Sequence, residues 1–177
     1  MKECTSTSGT QCRDSSSGKI WSAPSSITKT WSDAKKYCNN LSQEGFDDWH
    51  LPSVDELRTF ITNCPNLETG GSCGVTNSCS SSSCKTDCTS CSQTEDHSKL
   101  GITGNFWTSS SYSFSYTTGT EYYNVGTAST TYAWYINFTY GAIKGGPTVS
   151  YTQYDTLHHC SDTVNAVSNY AICVRSE

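Results

Sequence analysis

The first third of the chain carries two segments with apolar residues at helical spacing. The first helix is predicted to begin near Ser32 and to end at Gly45. Its buried stripe consists of Ala34, Tyr37, Cys38 and Leu41. The second helix is predicted over about residues 54–63, because Ser53 and Glu56 form a capping box at its start. Its apolar stripe consists of Leu57, Phe60 and Ile61.

Most of the second half is predicted to be β-structure. Trp134, Ile136 and Phe138 alternate toward one face of a half-buried strand. Other strands are predicted near Ile20 and Trp21, near Phe106 and Trp107, from Ala142 after a turn at Gly141, and over 169–175. Trp107 and Trp134 are expected in the core. The polar, aromatic-rich segments 111–132 and 145–168 are predicted to be connections between strands.

The segment 64–99 shows no hydrophobic periodicity and cannot form a core of its own. Its six cysteines are Cys64, Cys73, Cys79, Cys84, Cys88 and Cys91. The last three have spacings compatible with zinc or an iron–sulfur centre. The surrounding Ser/Thr-rich composition favours disulfides within the cluster instead, although six cysteines allow 15 pairings. We therefore expect a disulfide-rich insertion, with its connectivity open.

Composition points to an exported, loop-rich protein. The chain has 177 residues and eleven cysteines, with only 34% hydrophobic and 15% charged residues. Its net charge is −5, from 11 basic and 16 acidic residues, and the basic residues are scattered, so we expect neither nucleic-acid binding nor membrane insertion. The first ten residues lack the apolar core of a signal peptide. We expect that the chain was cut from a longer exported precursor and that Met1 was added.

Four strings in order indicate a family. They are WSDAKKYCNNLSQEGFDDWHLPSVDEL, FWTSS, AWYINFTYGAI and YAICVR, and together they cover about half of the chain. They resemble the C-terminal domain family of the Legionella collagen-like adhesin, which is similar to the major paralogous domain of Fibrobacter. The resemblance implies an α+β, C-type lectin-like fold with two helices packed on a small twisted antiparallel sheet. We expect one such domain over 1–177, with the Cys-rich insertion at about 64–99.

The same resemblance implies a disulfide between Cys38 and Cys173, which corresponds to the hallmark bridge of that fold. It also implies an exported, non-enzymatic module at a cell surface or fibre tip, with a surface glycan or protein as partner. Some family members bind sulfated polysaccharides. The acidic balance of this chain argues against that ligand class, because polyanion binding needs clustered Lys and Arg.

Tyrosines are the candidate ligand-binding residues. Ten of the eleven tyrosines lie after residue 110, among Ser, Thr and Gly, a mixture typical of antibody binding surfaces. The candidates are Tyr112, Tyr116, Tyr122, Tyr123, Tyr132, Tyr151 and Tyr154. We expect binding through the loops 111–132 and 145–162. The alternative is that several tyrosines only cover the edge of the core.

Two other functions stay open. One is a structural tip domain that forms a homotrimer. Another is an enzyme similar to the formylglycine-generating enzyme, which uses closely spaced cysteines. Cys160 and Cys173 stand thirteen residues apart, and Cys160 follows His158 and His159, so we expect Cys160 in a bridge to the insertion or the N-terminal segment rather than in catalysis. No cofactor is expected, although a structural calcium ion is compatible with the sequence.

Overall fold

The described part of the chain contains two short α-helices and small antiparallel β-sheets. The computed structural model describes residues 3–4, 11–89, 91, 96–120, 123–155 and 160–177, without the side chains of 117, 119–120, 123–126, 154–155 and 160–162. The elements are β1 (Cys12–Asp14), β2 (Lys19–Trp21), α1 (Trp31–Asn39), α2 (Val54–Arg58), β3 (Asn105–Thr120), β4 (Tyr123–Asn137), β5 (Ala142–Pro147), β6 (Tyr151–Asp155), β7 (Cys160–Val164) and β8 (Val174–Ser176).

These strands form three small sheets, in the orders β1-β2-β8, β3-β4-β5 and β6-β7. Every strand pair is antiparallel. The mixed helix and strand content and the small antiparallel sheets therefore confirm the coarse fold class. In the first sheet, β2 near the start of the chain pairs with β8 at its end, which closes the domain.

The first helix is shorter than predicted. It begins at Trp31, where the Thr30 hydroxyl accepts a hydrogen bond from the N–H of Asp33, and ends at Asn39. The two asparagines at 39 and 40 are weak helix formers, and they stop the helix well before Gly45. Gly45, at φ 81°, instead sits in a tight turn between Gln43 and Phe46.

The second helix starts at the predicted capping box but ends early. Both reciprocal hydrogen bonds of the Ser53 and Glu56 box are present. The helix ends at Arg58 rather than near residue 63. Ile61 leaves the helix to pair with Ser98, so the predicted apolar stripe is buried although the helix does not continue.

The core contains the tryptophans that the alternating pattern placed there. Trp107 and Trp134 are fully buried, as predicted. Trp21 is also fully buried, and its ring packs 4.3 Å from that of Phe60. Trp107 belongs with Cys38 and Cys173 to one hydrophobic cluster, while Trp134 belongs to a second cluster that extends into the Cys-rich insertion.

Five disulfides join ten of the eleven cysteines. The pairs are Cys4–Cys12, Cys38–Cys173, Cys64–Cys91, Cys73–Cys88 and Cys79–Cys84. The three bridges of the insertion all lie within it. Because these ten cysteines pair with one another, neither the insertion nor the N-terminal segment offers a partner to Cys160, and the bridge expected there is wrong. The side chain of Cys160 lies outside the described residues.

This disulfide content indicates folding in an oxidising environment outside the cytosol. Within the described ranges, the helices are all too short to cross a membrane.

The largest departure from prediction is in the segments expected to be connections. Residues 111–120 and 123–132 belong to one long hairpin, β3 and β4, and 145–164 contains the end of β5 together with β6 and β7. Tyr112, Phe114 and Tyr116 alternate with serines, which is a period of two. Tyr and Thr also favour strands, so the segment is polar but strand-forming.

A carboxylate network links the capping box to the first sheet. One oxygen of Glu56 lies 3.0 Å from Lys19 Nζ and 3.5 Å from His50 Nε2, and the other accepts from the N–H of Ser53 at 2.9 Å. The hydrogen bond from His50, followed by those from Ser53 and Lys19, holds the pKa of Glu56 well below its ordinary 4.5. The ionised form is therefore favoured by folding.

This depressed pKa predicts an acid-dependent loss of stability. A carboxyl with a lower pKa in the folded state stabilises fully above its unfolded value, near 4.5, and progressively less as the pH falls below it. We expect Glu56→Gln to lower the free energy of unfolding at about pH 7 and to have a smaller effect at about pH 3. Urea unfolding at both pH values measures the difference. A Glu56→Gln effect that is constant with pH would contradict the prediction.

Candidate functional site

A bulge in β3 fixes the long hairpin to both helices. The register of β3 against β4 shifts over residues 108–110. The carbonyl of Thr108 accepts a hydrogen bond from Nε1 of Trp31 at 2.7 Å. The hydroxyl of Ser110 accepts from the N–H of Val54, the first residue of α2, at 2.9 Å. Beyond this anchor, β5 covers β4 only as far as Tyr132, so the outer part of the hairpin is two-stranded.

One face of the outer hairpin is a stack of tyrosines. The ring of Tyr112 lies 4.4 Å from that of Trp134 in a stacked arrangement, and Tyr116 lies 4.3 Å from Tyr151 of β6. The hydroxyls of Tyr132 and Tyr151 are 2.8 Å apart, within hydrogen-bond distance. These contacts attach the β6-β7 hairpin to the long hairpin and hold both rigidly on the core.

The tyrosine stack carries no charge at neutral pH. Burial raises the pKa of Tyr112 to about 12. Burial, followed by the hydrogen bond with Tyr151, also raises the pKa of Tyr132. Phenolate formation is therefore disfavoured, and this face is a neutral packing surface.

The opposite face of the hairpin is a run of exposed hydroxyls. Its described members are Ser113, Ser115, Thr127, Ser129 and Thr131, and all five side chains are exposed. Ser113 pairs with Thr131 and Ser115 with Ser129 across the two strands. Cross-strand neighbours on such a face lie about 4.7–5.5 Å apart, and neighbours along a strand lie about 6.8 Å apart. We call these five residues the hydroxyl face.

The hydroxyl face is also free of charge. The described side chains of β3 and β4 include no Asp, Glu, Lys or Arg. Such a surface can donate and accept hydrogen bonds at regular spacing without the desolvation cost of an ion. It is suited to binding a ligand that is itself rich in hydroxyl or amide groups.

The structure places the predicted tyrosines differently from expectation. Tyr112 and Tyr151 are only 7% and 9% exposed, and Tyr116 and Tyr132 are half-buried. These four come together, but in the stack rather than on open loops. Tyr122 and the side chains of Tyr123 and Tyr154 lie outside the described residues. The hydroxyl face was missed, although the alternation of aromatic and hydroxyl residues from 111 to 116 is the signal that identifies it.

Among the described residues there is no group of three or more His, Cys, Asp or Glu side chains placed to hold a metal ion. Asp48, close to the predicted helix start, forms a two-point ion pair with Arg175, with Nε to Oδ1 at 2.6 Å. This pairing holds the pKa of Asp48 below its ordinary value. His158 and His159 lie outside the described residues.

Comparison with known proteins identifies a family. The family model described as the Lcl C-terminal domain matches residues 10–158. No curated protein and no solved structure matches the chain.

Proposed function

Because the chain belongs to the Lcl C-terminal domain family, we propose that it is a non-enzymatic, adhesin-type recognition module of C-type lectin-like architecture. It acts at a bacterial surface or fibre tip and binds a glycan or a surface protein. The hydroxyl face is the observation that carries this proposal. It is exposed, uncharged and supported from behind by the tyrosine stack.

Rigid support matters because binding costs less free energy when the surface is already ordered. The hairpin is fixed at its base by the bulge and along its inner face by aromatic contacts. A ligand lying along the hydroxyl face therefore meets donors and acceptors whose positions are set before binding. The face is built from short side chains, which lose little rotamer entropy.

The disulfides favour a binding role over an enzymatic one. A formylglycine-type reaction needs a pair of cysteines near the end of the chain, and there Cys173 is bonded to Cys38 in the core instead. The C-type lectin-like architecture is favoured by the same bridge, which joins α1 to the segment just before β8. Display on a surface or fibre tip is favoured by the disulfide-rich composition and the family.

Charging the hydroxyl face is expected to abolish recognition without unfolding the domain. Ser115→Glu with Ser129→Lys places opposite charges on a cross-strand pair, which keeps the hairpin stable but removes the neutral hydroxyl surface. We expect the wild-type domain to bind a class of glycan on an array, or intact cells, and the double variant to lose at least about tenfold in affinity.

The matched control is Thr152→Glu with Thr163→Lys, an exposed cross-strand pair on the neighbouring β6-β7 hairpin. It makes the same chemical change outside the hydroxyl face and is expected to bind as the wild type does. Equal binding by both double variants would contradict the site. Absence of any glycan or cell binding by the wild type would contradict the function.

The competing proposal is a structural tip domain that forms a homotrimer through the hydroxyl face. Interfaces between subunits are also depleted of charge at their centre, so an uncharged face fits this role too. Light scattering distinguishes the two. A wild-type trimer that becomes monomeric with Ser115→Glu and Ser129→Lys would assign the hydroxyl face to assembly instead of recognition.

A further inference from the structure

A groove separate from the hydroxyl face lies where the loop before β3 meets the segment before β8. It has a volume of about 480 Å³. Its lining includes Gly101, Thr103, Gly104, Phe106, Thr139 and Tyr170. None of the residues that line it carries a charge. The groove is large enough for one or two sugar rings, within the usual range of small-ligand sites.

We propose that this groove binds an uncharged saccharide, with one sugar ring stacked on Tyr170. The groove and the hydroxyl face are different surfaces, so saccharide binding in the groove is independent of the function proposed above.

The floor of the groove is aromatic and fixed in place. The ring of Tyr170 lies 5.6 Å from that of Phe106, and Phe106 lies 5.7 Å from Phe138 in the core. The backbone of Tyr170 is held on both sides, because its N–H donates to Asn105 at 2.9 Å and its carbonyl accepts from Trp107 at 3.0 Å. Phe106 is buried, whereas Tyr170 is only half-buried.

Polar groups border this floor and keep hydrogen-bonding capacity. Within the described part of the chain, the hydroxyls of Tyr170 and Thr103 make no hydrogen bond. The hydroxyl of Thr139 accepts from the N–H of Gly104 at 2.8 Å and keeps its own proton to donate. An apolar ring face surrounded by such hydroxyls matches a sugar, which has apolar C–H faces and hydroxyl edges.

Glycine keeps the groove open. Gly104 has φ 96°, and an added Cβ would lie 3.4 Å from the ring of Tyr170. Gly101, at φ 64°, is exposed on the same rim. Gly104 therefore leaves backbone accessible beside the ring, where a side chain would contact it.

The lack of charge selects among saccharides. A sulfated or carboxylated sugar would leave its anion without a partner in this lining, and an unpaired ion is costly to desolvate. Neutral hexoses meet no such cost. The geometry therefore favours neutral over anionic sugars.

The test is an NMR titration of ¹⁵N-labelled protein with lactose, maltose, cellobiose and diacetylchitobiose as neutral probes. A sulfated heparin disaccharide and sialyllactose are the anionic probes. We expect at least one neutral disaccharide to shift the amide signals of Gly101 and Gly104 with a dissociation constant of roughly 1 mM, as expected for one stacked ring. Shifts only with the anionic probes, shifts with the neutral probes that spare Gly101 and Gly104, or no shifts at all would overturn the proposal.

Two variants at one position separate stacking from folding. Tyr170→Phe keeps the flat ring and is expected to retain affinity within about fivefold. Tyr170→Leu keeps apolar volume but removes the ring, and it is expected to lose at least about tenfold. Equal affinity of the leucine and phenylalanine variants would overturn the stacking. Ser115→Glu with Ser129→Lys is expected to leave this titration unchanged, which separates the groove from the hydroxyl face.

Discussion

Replacing Cys38 and Cys173 together by alanine is expected to lower the free energy of unfolding by roughly 2–5 kcal/mol. The bridge spans 135 residues of sequence and joins α1 to the chain just before β8. In the chain-entropy model, a loop of this length restricts the unfolded state by about 5 kcal/mol. Both cysteines are fully buried, so the double variant also loses packing in the cluster around Trp107.

The measurement is urea unfolding, followed by fluorescence of the buried tryptophans. Replacing Cys79 and Cys84 by alanine is the matched control, because that bridge closes a loop of only 5 residues. The same model gives about 2 kcal/mol for it. We expect the long-range variant to have the lower urea midpoint. The reverse order would show that the long-range Cys38–Cys173 bridge stabilises the domain less than the short Cys79–Cys84 bridge does.

Local signals in the sequence were sufficient for the parts of the fold that depend on short spacings. Ser53 and Glu56 identify the start of α2 because a capping box needs only two residues three apart. Trp107 and Trp134 were assigned to the core from alternation with apolar neighbours. The Cys38–Cys173 bridge came from the resemblance to a family, since no local pattern relates residues 135 apart.

The long hairpin could not be recognised from hydrophobicity alone. Its inner face is built from tyrosines, whose hydroxyl groups make the segment polar on average, and its outer face is built from Ser and Thr. Strand formation there depends on alternation and β-propensity instead. In the sequence, Tyr112 and Tyr151 lie among Ser and Thr, as tyrosines of a binding surface do. The ring of Tyr112 is buried against Trp134 and that of Tyr151 against Tyr116, and the sequence does not show either contact.

The pairing inside the insertion also depends on tertiary contacts. Six cysteines allow 15 connectivities. The path of the backbone decides which cysteines come close enough to form the three observed pairs. Hydrogen bonds from Arg58, the last residue of α2, stabilise that path. Arg58 stands out neither by motif nor by spacing, so the sequence gives no signal for its role.

The buried side chain of Arg58 binds several backbone carbonyls of the insertion. Its guanidinium donates to the carbonyls of Leu67 at 2.8 Å, Val75 at 2.8 Å and Glu68 at 2.9 Å, with a longer contact to Cys73 at 3.4 Å. Only 4% of the residue is exposed. Burial lowers the pKa of Arg58, and the nearby charge of Asp55 opposes this effect.

Replacing Arg58 by methionine is therefore expected to lower the free energy of unfolding by roughly 3–5 kcal/mol, because several buried carbonyls lose a charged donor. Arg58→Lys is expected to recover less than half of this loss, since a single ammonium cannot reach carbonyls arranged around a planar fork. Urea unfolding measures both. Arg13→Met is the control, because Arg13 forms an exposed ion pair with Glu177 and should cost about 1 kcal/mol or less.

A local measurement separates the role of Arg58 from general destabilisation. If its guanidinium holds the insertion in place, limited proteolysis of Arg58→Met should cut within 64–91 under conditions where the rest of the domain stays intact. The three bridges keep the fragments joined until reduction, so mass spectrometry after reduction locates the cuts. Cleavage spread evenly over the chain would contradict this role, because the carbonyls that Arg58 binds lie only between residues 67 and 75.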